Sequence, residues 1–270
     1  MIAEGLIKLP PVLYQELEQF VLNWYFAHAY ATIERKFRFD ENTLKTAHRL
    51  ITVACKLYSV TPTATNIRIA RDKFSFKKTF TLDEVVYDHP LYMKVMLRLD
   101  LEKSKTKDLG SYKDKTGFIV LSAHNLHMTG QSLGTISAIR HSLGKIDELL
   151  SYLQHELTHL VQQRVLVIKH PEQIASSYGA ESEFDDAYAL SQLEFDPLIK
   201  SAKGVLTRLK TKYKLTTPEY NERALQDAFI CVTEPPSWML PDDQSVFFET
   251  LKRRSPARWR KAIRLFMSDT

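Results

Sequence analysis

The alternation of apolar and polar positions divides this chain into a helical start, a strand-rich middle and a helical second half. PVLYQELEQFVLNWYFAHAYATIER (residues 11–35) and ENTLKTAHRLITVACKLYSV (41–60) place apolar residues three and four apart, which predicts two helices. TNIRIARDKFSF (65–76) and YMKVMLRLDL (92–101) alternate, and GFIVLSA (117–123) is a short apolar run, so these three predict a small sheet. Between the last two, EKSKTKDLGSYKDKTG (102–117) reads as a solvated, lysine-bearing loop. From about Ser142 the period returns to 3.6, with IDELLSYLQHELTHLVQQ (146–163) as one long amphipathic segment. Further helix starts are signalled at Asp196-Pro197, Thr217-Pro218 and Ser255-Pro256, each a capping residue before a proline. The expected class is α+β.

Composition adds little that contradicts this. With 270 residues, 44% of them hydrophobic, the chain is large enough to bury a substantial core. The 8 glycines and 11 prolines nowhere cluster into a long linker. Phe20 to Ile33 is aromatic-rich but interrupted by Asn23 and His28, which argues against a membrane span. The start lacks the basic and apolar regions of a signal peptide. Cys55 and Cys231 lie in apolar surroundings and read as buried thiols in a reducing compartment, so the expected location is cytoplasmic.

The candidate chemistry sits in SYLQHELTHLVQQ (151–163). On a helix with Leu153 as origin, Ile146, Leu149, Leu150, Leu157, Leu160 and Val161 form one apolar stripe, whereas His155 and His159 fall near ~200° and ~240°. The stripe anchors the helix, and both imidazoles turn to the other side. Their i, i+4 spacing lets them share one metal ion. Glu156 is placed on a flank, where it can take a proton from a zinc-activated water and serve as general base.

This HELTH helix after a small sheet resembles the zincin metallopeptidases, whose two histidines bind zinc and whose intervening glutamate is the base. Gln162 and Val165 stand where the metzincin pattern has glycine and histidine. The likeness is therefore to the gluzincin-like branch, with an acidic third ligand from a later helix. It implies a zincin-like fold: N-terminal helices, a small mixed sheet, the active-site helix and a helical C-terminal subdomain. Residues 1–165 would carry the sheet and motif helix, and 166–270 the third ligand and a basic tail.

A catalytic zinc takes three protein ligands and leaves one position open. Among Glu181, Glu183, Asp185, Asp186, Glu194 and Asp196, Glu183 and Glu194 share a largely apolar stripe, where an unbound charge is costly. Glu194 runs into Asp196-Pro197 and a helix end, which favours Glu183, with Asp186 as a bracing group and Asp196 as a cap. EFDDAYA (183–189) is also similar to the ligand-bearing segment of small metallopeptidases from phages and mobile elements. Among other groups, Tyr178, Tyr188 and His170 are candidate oxyanion donors, and His124 and His127 have metal-like spacing but read as loop polar residues. GFIVLSA is either an edge strand that pairs with substrate backbone or an interior strand.

Charge changes the picture only at the C-terminus. Residues 251–270 hold Lys252, Arg253, Arg254, Arg258, Arg260, Lys261 and Arg264 against Asp269, while the net charge of the whole chain is only +5. In SPARWRKAIRLFMSDT, Trp259, Ile263 and Phe266 are expected inside and Arg258, Lys261 and Arg264 outside. Two function classes follow. One is a zinc endopeptidase acting on a protein or peptide substrate. The other is a non-catalytic binding or assembly protein, such as a virion component, whose residues 252–264 hold nucleic acid or an acidic protein.

Overall fold

Pro11 opens the first helix, where a fixed φ and a missing N–H are harmless. The computed structural model describes residues 9–36, 39–86, 89–101, 110–113, 117–122, 136, 139, 143, 146–166, 195–200, 203–204 and 251–267. Helix α1 spans Pro11–Lys36. From Val21 to Ile33 it is buried on almost every side, Tyr25, Phe26 and Ala29 among the rest, which marks a core helix rather than a surface one. Among the described residues no helix is long and apolar enough to cross a membrane. The Leu13 N–H, unpaired within the helix, donates to Glu84 Oε1 at 3.0 Å, which places a carboxylate on the positive helix end.

Helix α2 spans Glu41–Leu57. Asp40 caps it by accepting from the N–H groups of Asn42 and Thr43. These bonds and that of the Thr43 hydroxyl hold the Asp40 carboxyl below its usual range. At the other end, Val60 N–H donates to Cys55 C=O and Ser59 N–H to Lys56 C=O, a Schellman ending with Ser59 left-handed at φ 52°. Cys55 is buried as expected, and burial pushes its thiol up to about 11, so it is protonated and inert.

The start of the first expected strand is not extended. Residues Ala64–Ala70 form a short helix, α3, capped by the Thr63 hydroxyl, which accepts from Asn66 N–H at 3.1 Å. The alternation in TNIRIA is too short to distinguish period 2 from period 3.6, and the capping threonine decides the matter. The strand begins only at Ser75. Strand β1 (Ser75–Val86) turns Phe76, Phe80 and Leu82 inward and Lys77, Thr79, Thr81 and Asp83 outward. Against the inner row, Trp24 stacks on Phe76 at 3.9 Å and Phe20 meets Phe80 edge-on at 5.8 Å.

Strand β2 (His89–Asp100) buries Val95, Leu97 and Leu99. The stretch expected to be a loop contains a third strand, β3 (Gly110–Lys113), which is followed by β4 (Phe118–Ser122). The order is β1-β2-β4-β3. Strand β4 runs parallel to β2, with Leu97 opposite Ile119, and antiparallel to β3, with Tyr112 opposite Ile119. The chain thus passes from β2 to the far edge and returns between the two. GFIVLSA is therefore an interior strand, and its backbone partners are taken on both sides. Gly117 makes the entry to β4 possible: it is left-handed at φ 60°, and a Cβ there would stand 2.9 Å from the Lys94 carbonyl oxygen.

Helix α4 (Ile146–Val161) follows and widens into a π-helical turn over Gln162–Leu166. Helix α5 (Pro256–Met267) ends the described chain, starting after Ser255 as its sequence signals. Two compact units emerge, one of Pro10–Val85 and Pro90–Leu153, the other of Met1–Leu9, Val86–His89 and Gln154–Thr270. The architecture is mixed α+β.

Candidate metal centre

The motif helix forms as its periodicity dictates. Ile146, Leu149, Leu150, Leu153, Leu157, Leu160 and Val161 are all fully buried. Replacing one such leucine by alanine costs about 2–5 kcal/mol, so this stripe holds the helix rotation firmly. At the N-terminal turn the buried Asp147 accepts from the Tyr58 hydroxyl at 2.9 Å and complements the helix dipole. Thr158 is wholly buried and satisfies its hydroxyl on the Gln154 carbonyl one turn back, at 2.7 Å.

With the rotation set, the two histidines lie half-buried on the other side. Nε2 of His159 stands 3.0 Å from Nε2 of His155, and the rings meet edge-on with centroids 4.7 Å apart. Two imidazole nitrogens on one tetrahedral zinc, each at ~2.0–2.1 Å, are about 3.3 Å apart. The observed pair is thus within a few tenths of an ångström of the spacing for a shared ion. The donor set also suits zinc, which takes imidazole nitrogen readily. Glu156, between them in sequence, is buried with 6% of its surface exposed. A carboxylate so sheltered keeps its proton-accepting oxygen out of bulk water.

The fourth member of this face was not anticipated. Gln162 is buried, and its Oε1 lies 3.0 Å from Nδ1 of His159. The sequence carries a signal for it: three residues beyond His159, it falls near ~180° on the wheel that places the histidines near ~200° and ~240°.

Glu183, Glu194, Glu181, Asp185, Asp186, Tyr178, Tyr188, His170, His124 and His127 lie outside the described residues, as does Cys231. Among the described residues no three or more His, Cys, Asp or Glu side chains gather into one cluster.

Asp196 differs from expectation. Residues 195–200 are helical, so Asp196 lies within the helix instead of capping it. It is 8% exposed, and burial pushes its carboxyl up to about 6 against the opposing pull of Lys261, Lys200 and Arg258. Neighbouring Phe195 meets two cations, Arg258 at 5.1 Å and Lys261 at 5.5 Å from its ring centroid. Hence Arg258 and Lys261, expected outside, are half-buried. The buried residues of the tail are Leu251, Ala262 and Leu265, while Trp259 and Ile263 are only half-buried. The inner face of α5 is turned by about one residue because Phe195 and Asp196 supply a ring and a charge that the two cations reward. Lys252, Arg253, Arg254, Arg260 and Arg264 are exposed.

No protein-family model matches the chain, and no curated protein or solved structure shows significant similarity to it.

Proposed function

We propose that this protein is a zinc-dependent metallopeptidase of the zincin type, acting on a protein or peptide substrate. The convergence of the two Nε2 atoms at 3.0 Å carries the reading. His155 and His159 would hold the ion through these atoms, and Glu183 is the proposed third ligand, with Glu194 the alternative. A divalent ion there supplies Lewis acidity toward water and toward the scissile carbonyl. Glu156 is the general base: its carboxylate accepts a proton from the attacking water and returns it to the leaving amine. Its burial strengthens that exchange by excluding competing solvent. The small phage and mobile-element metallopeptidases remain the proposed kin on the strength of HELTH and EFDDAYA.

The test is metal content and hydrolysis of an unfolded protein substrate, measured together. Wild type should hold about one zinc per chain. His155→Ala and His159→Ala should lose it, and Glu156→Gln should keep it while hydrolysis falls by at least ~100-fold. Full activity in Glu156→Gln would end the mechanism.

A second reading draws on the five exposed cations from Lys252 to Arg264. In it the chain is a non-catalytic assembly or virion protein that holds nucleic acid or an acidic partner through residues 252–264. Binding that falls steeply with salt, survives chelation and disappears on deletion of residues 251–270 would favour it.

A further inference from the structure

We propose that Gln162 is a positioning residue for this metal centre: its side-chain carbonyl holds His159 in the tautomer whose Nε2 lone pair faces His155. The purpose of the contact rests on the metallopeptidase reading.

An amide oxygen only accepts, so the 3.0 Å contact between Gln162 Oε1 and His159 Nδ1 requires the proton on Nδ1. A neutral imidazole carries one N–H, and Nε2 of His159 is therefore left with its lone pair. That lone pair lies 3.0 Å from Nε2 of His155, within reach to accept an N–H from that ring. Nε2 is also the atom through which a shared ion would be held. Without a partner at Nδ1, the ring prefers the opposite tautomer, with its proton on the atom that must bind. Gln162 removes that preference and blocks rotation about the ring's bond to the helix.

Two features make the contact more than a surface hydrogen bond. Gln162 is 4% exposed, so water cannot cheaply replace it in the contact. It also stands where the regular helix ends and the π-helical turn begins. Such widened turns recur at functional sites. His155 and His159 lie in the regular helix, and Gln162 is the first residue of the turn, three positions beyond His159.

The experiment uses the full chain with histidines labelled in nitrogen-15. Ring tautomers are read by nitrogen–proton correlation on the zinc-free protein, and zinc affinity is measured by competition with a chromophoric chelator. Wild type should show His159 protonated at Nδ1. Gln162→Met and Gln162→Asn, which remove the acceptor or draw it back by one methylene, should move the proton to Nε2 and weaken zinc binding about 10–100-fold. Gln162→Glu, which keeps an acceptor at the same reach, should retain both tautomer and affinity. An Nε2-protonated His159 in wild type overturns the proposal. So does a Gln162→Met or Gln162→Asn protein with wild-type zinc affinity. Absence of zinc binding in wild type itself would instead sink the peptidase reading, and with it the role assigned to this glutamine.

Discussion

His159 stands with one ring nitrogen 3.0 Å from His155 and the other 3.0 Å from Gln162, so both ends of its imidazole are engaged. A histidine held at both ends loses little further freedom on binding an ion, which is the physical content of a preorganised ligand. The proposed third ligand is open to direct assay. Glu183→Ala should lower zinc affinity by at least ~100-fold, and Glu194→Ala should leave it near wild type. The reverse order would move the third ligand to Glu194.

Gly117 admits β4 between its two neighbours. Gly117→Ala puts a Cβ 2.9 Å from the Lys94 carbonyl oxygen in a left-handed backbone. The expected loss is about 1–3 kcal/mol, read as a lower urea midpoint at unchanged slope. An unchanged midpoint would show that β2 and β4 can separate at no cost.

Asp196 makes stability depend on pH in an unusual direction for a carboxylate. Its folded-state value, about 6, exceeds its ordinary one, so the folded protein binds the proton more tightly than the unfolded chain. Its contribution is fully present below about pH 4 and is lost as pH rises through about 6, a difference on the order of a few kcal/mol. Asp196→Asn should flatten that slope and raise the melting temperature at pH 7–8, with little change at pH 4. A melting profile that keeps the wild-type slope would mean that Arg258 and Lys261 fully compensate the buried charge.

Ser59 carries a left-handed conformation that glycine adopts freely. At φ 52° in a Schellman ending, Ser59→Gly should raise stability by about 1 kcal/mol without affecting metal binding. Thermal unfolding decides it, and a lower melting temperature would show that unfolded-state entropy outweighs the relieved strain.

The motif helix was legible from sequence because seven apolar residues at one period specify a rotation, and the rotation places His155 and His159 together. The helices at either end and the strands β2 and β4 followed from the same kind of pattern. Three features did not. In α3 the window is too short for its period to speak, and the structure shows the helix capped by Thr63. In β1 the alternation of Phe76, Phe80 and Leu82 runs beyond residue 76, the end of the expected strand, through lysines and threonines that face outward. In α5 the stripes through Trp259 and through Arg258 differ by one residue, and only Phe195 and Asp196, some sixty residues earlier, select between them.

What the sequence determined by itself is local: the period of the long helices, the start of α5 after Ser255, and the face shared by the two histidines. These depend on neighbours within a turn or two, whose geometry the backbone prescribes. Only the tertiary structure decided that β4 lies between β2 and β3 and that Asp196 is buried among cations. Each of those requires a partner whose distance or orientation no linear spacing states, because burial and hydrogen bonding are settled by whichever groups the folded chain brings within reach.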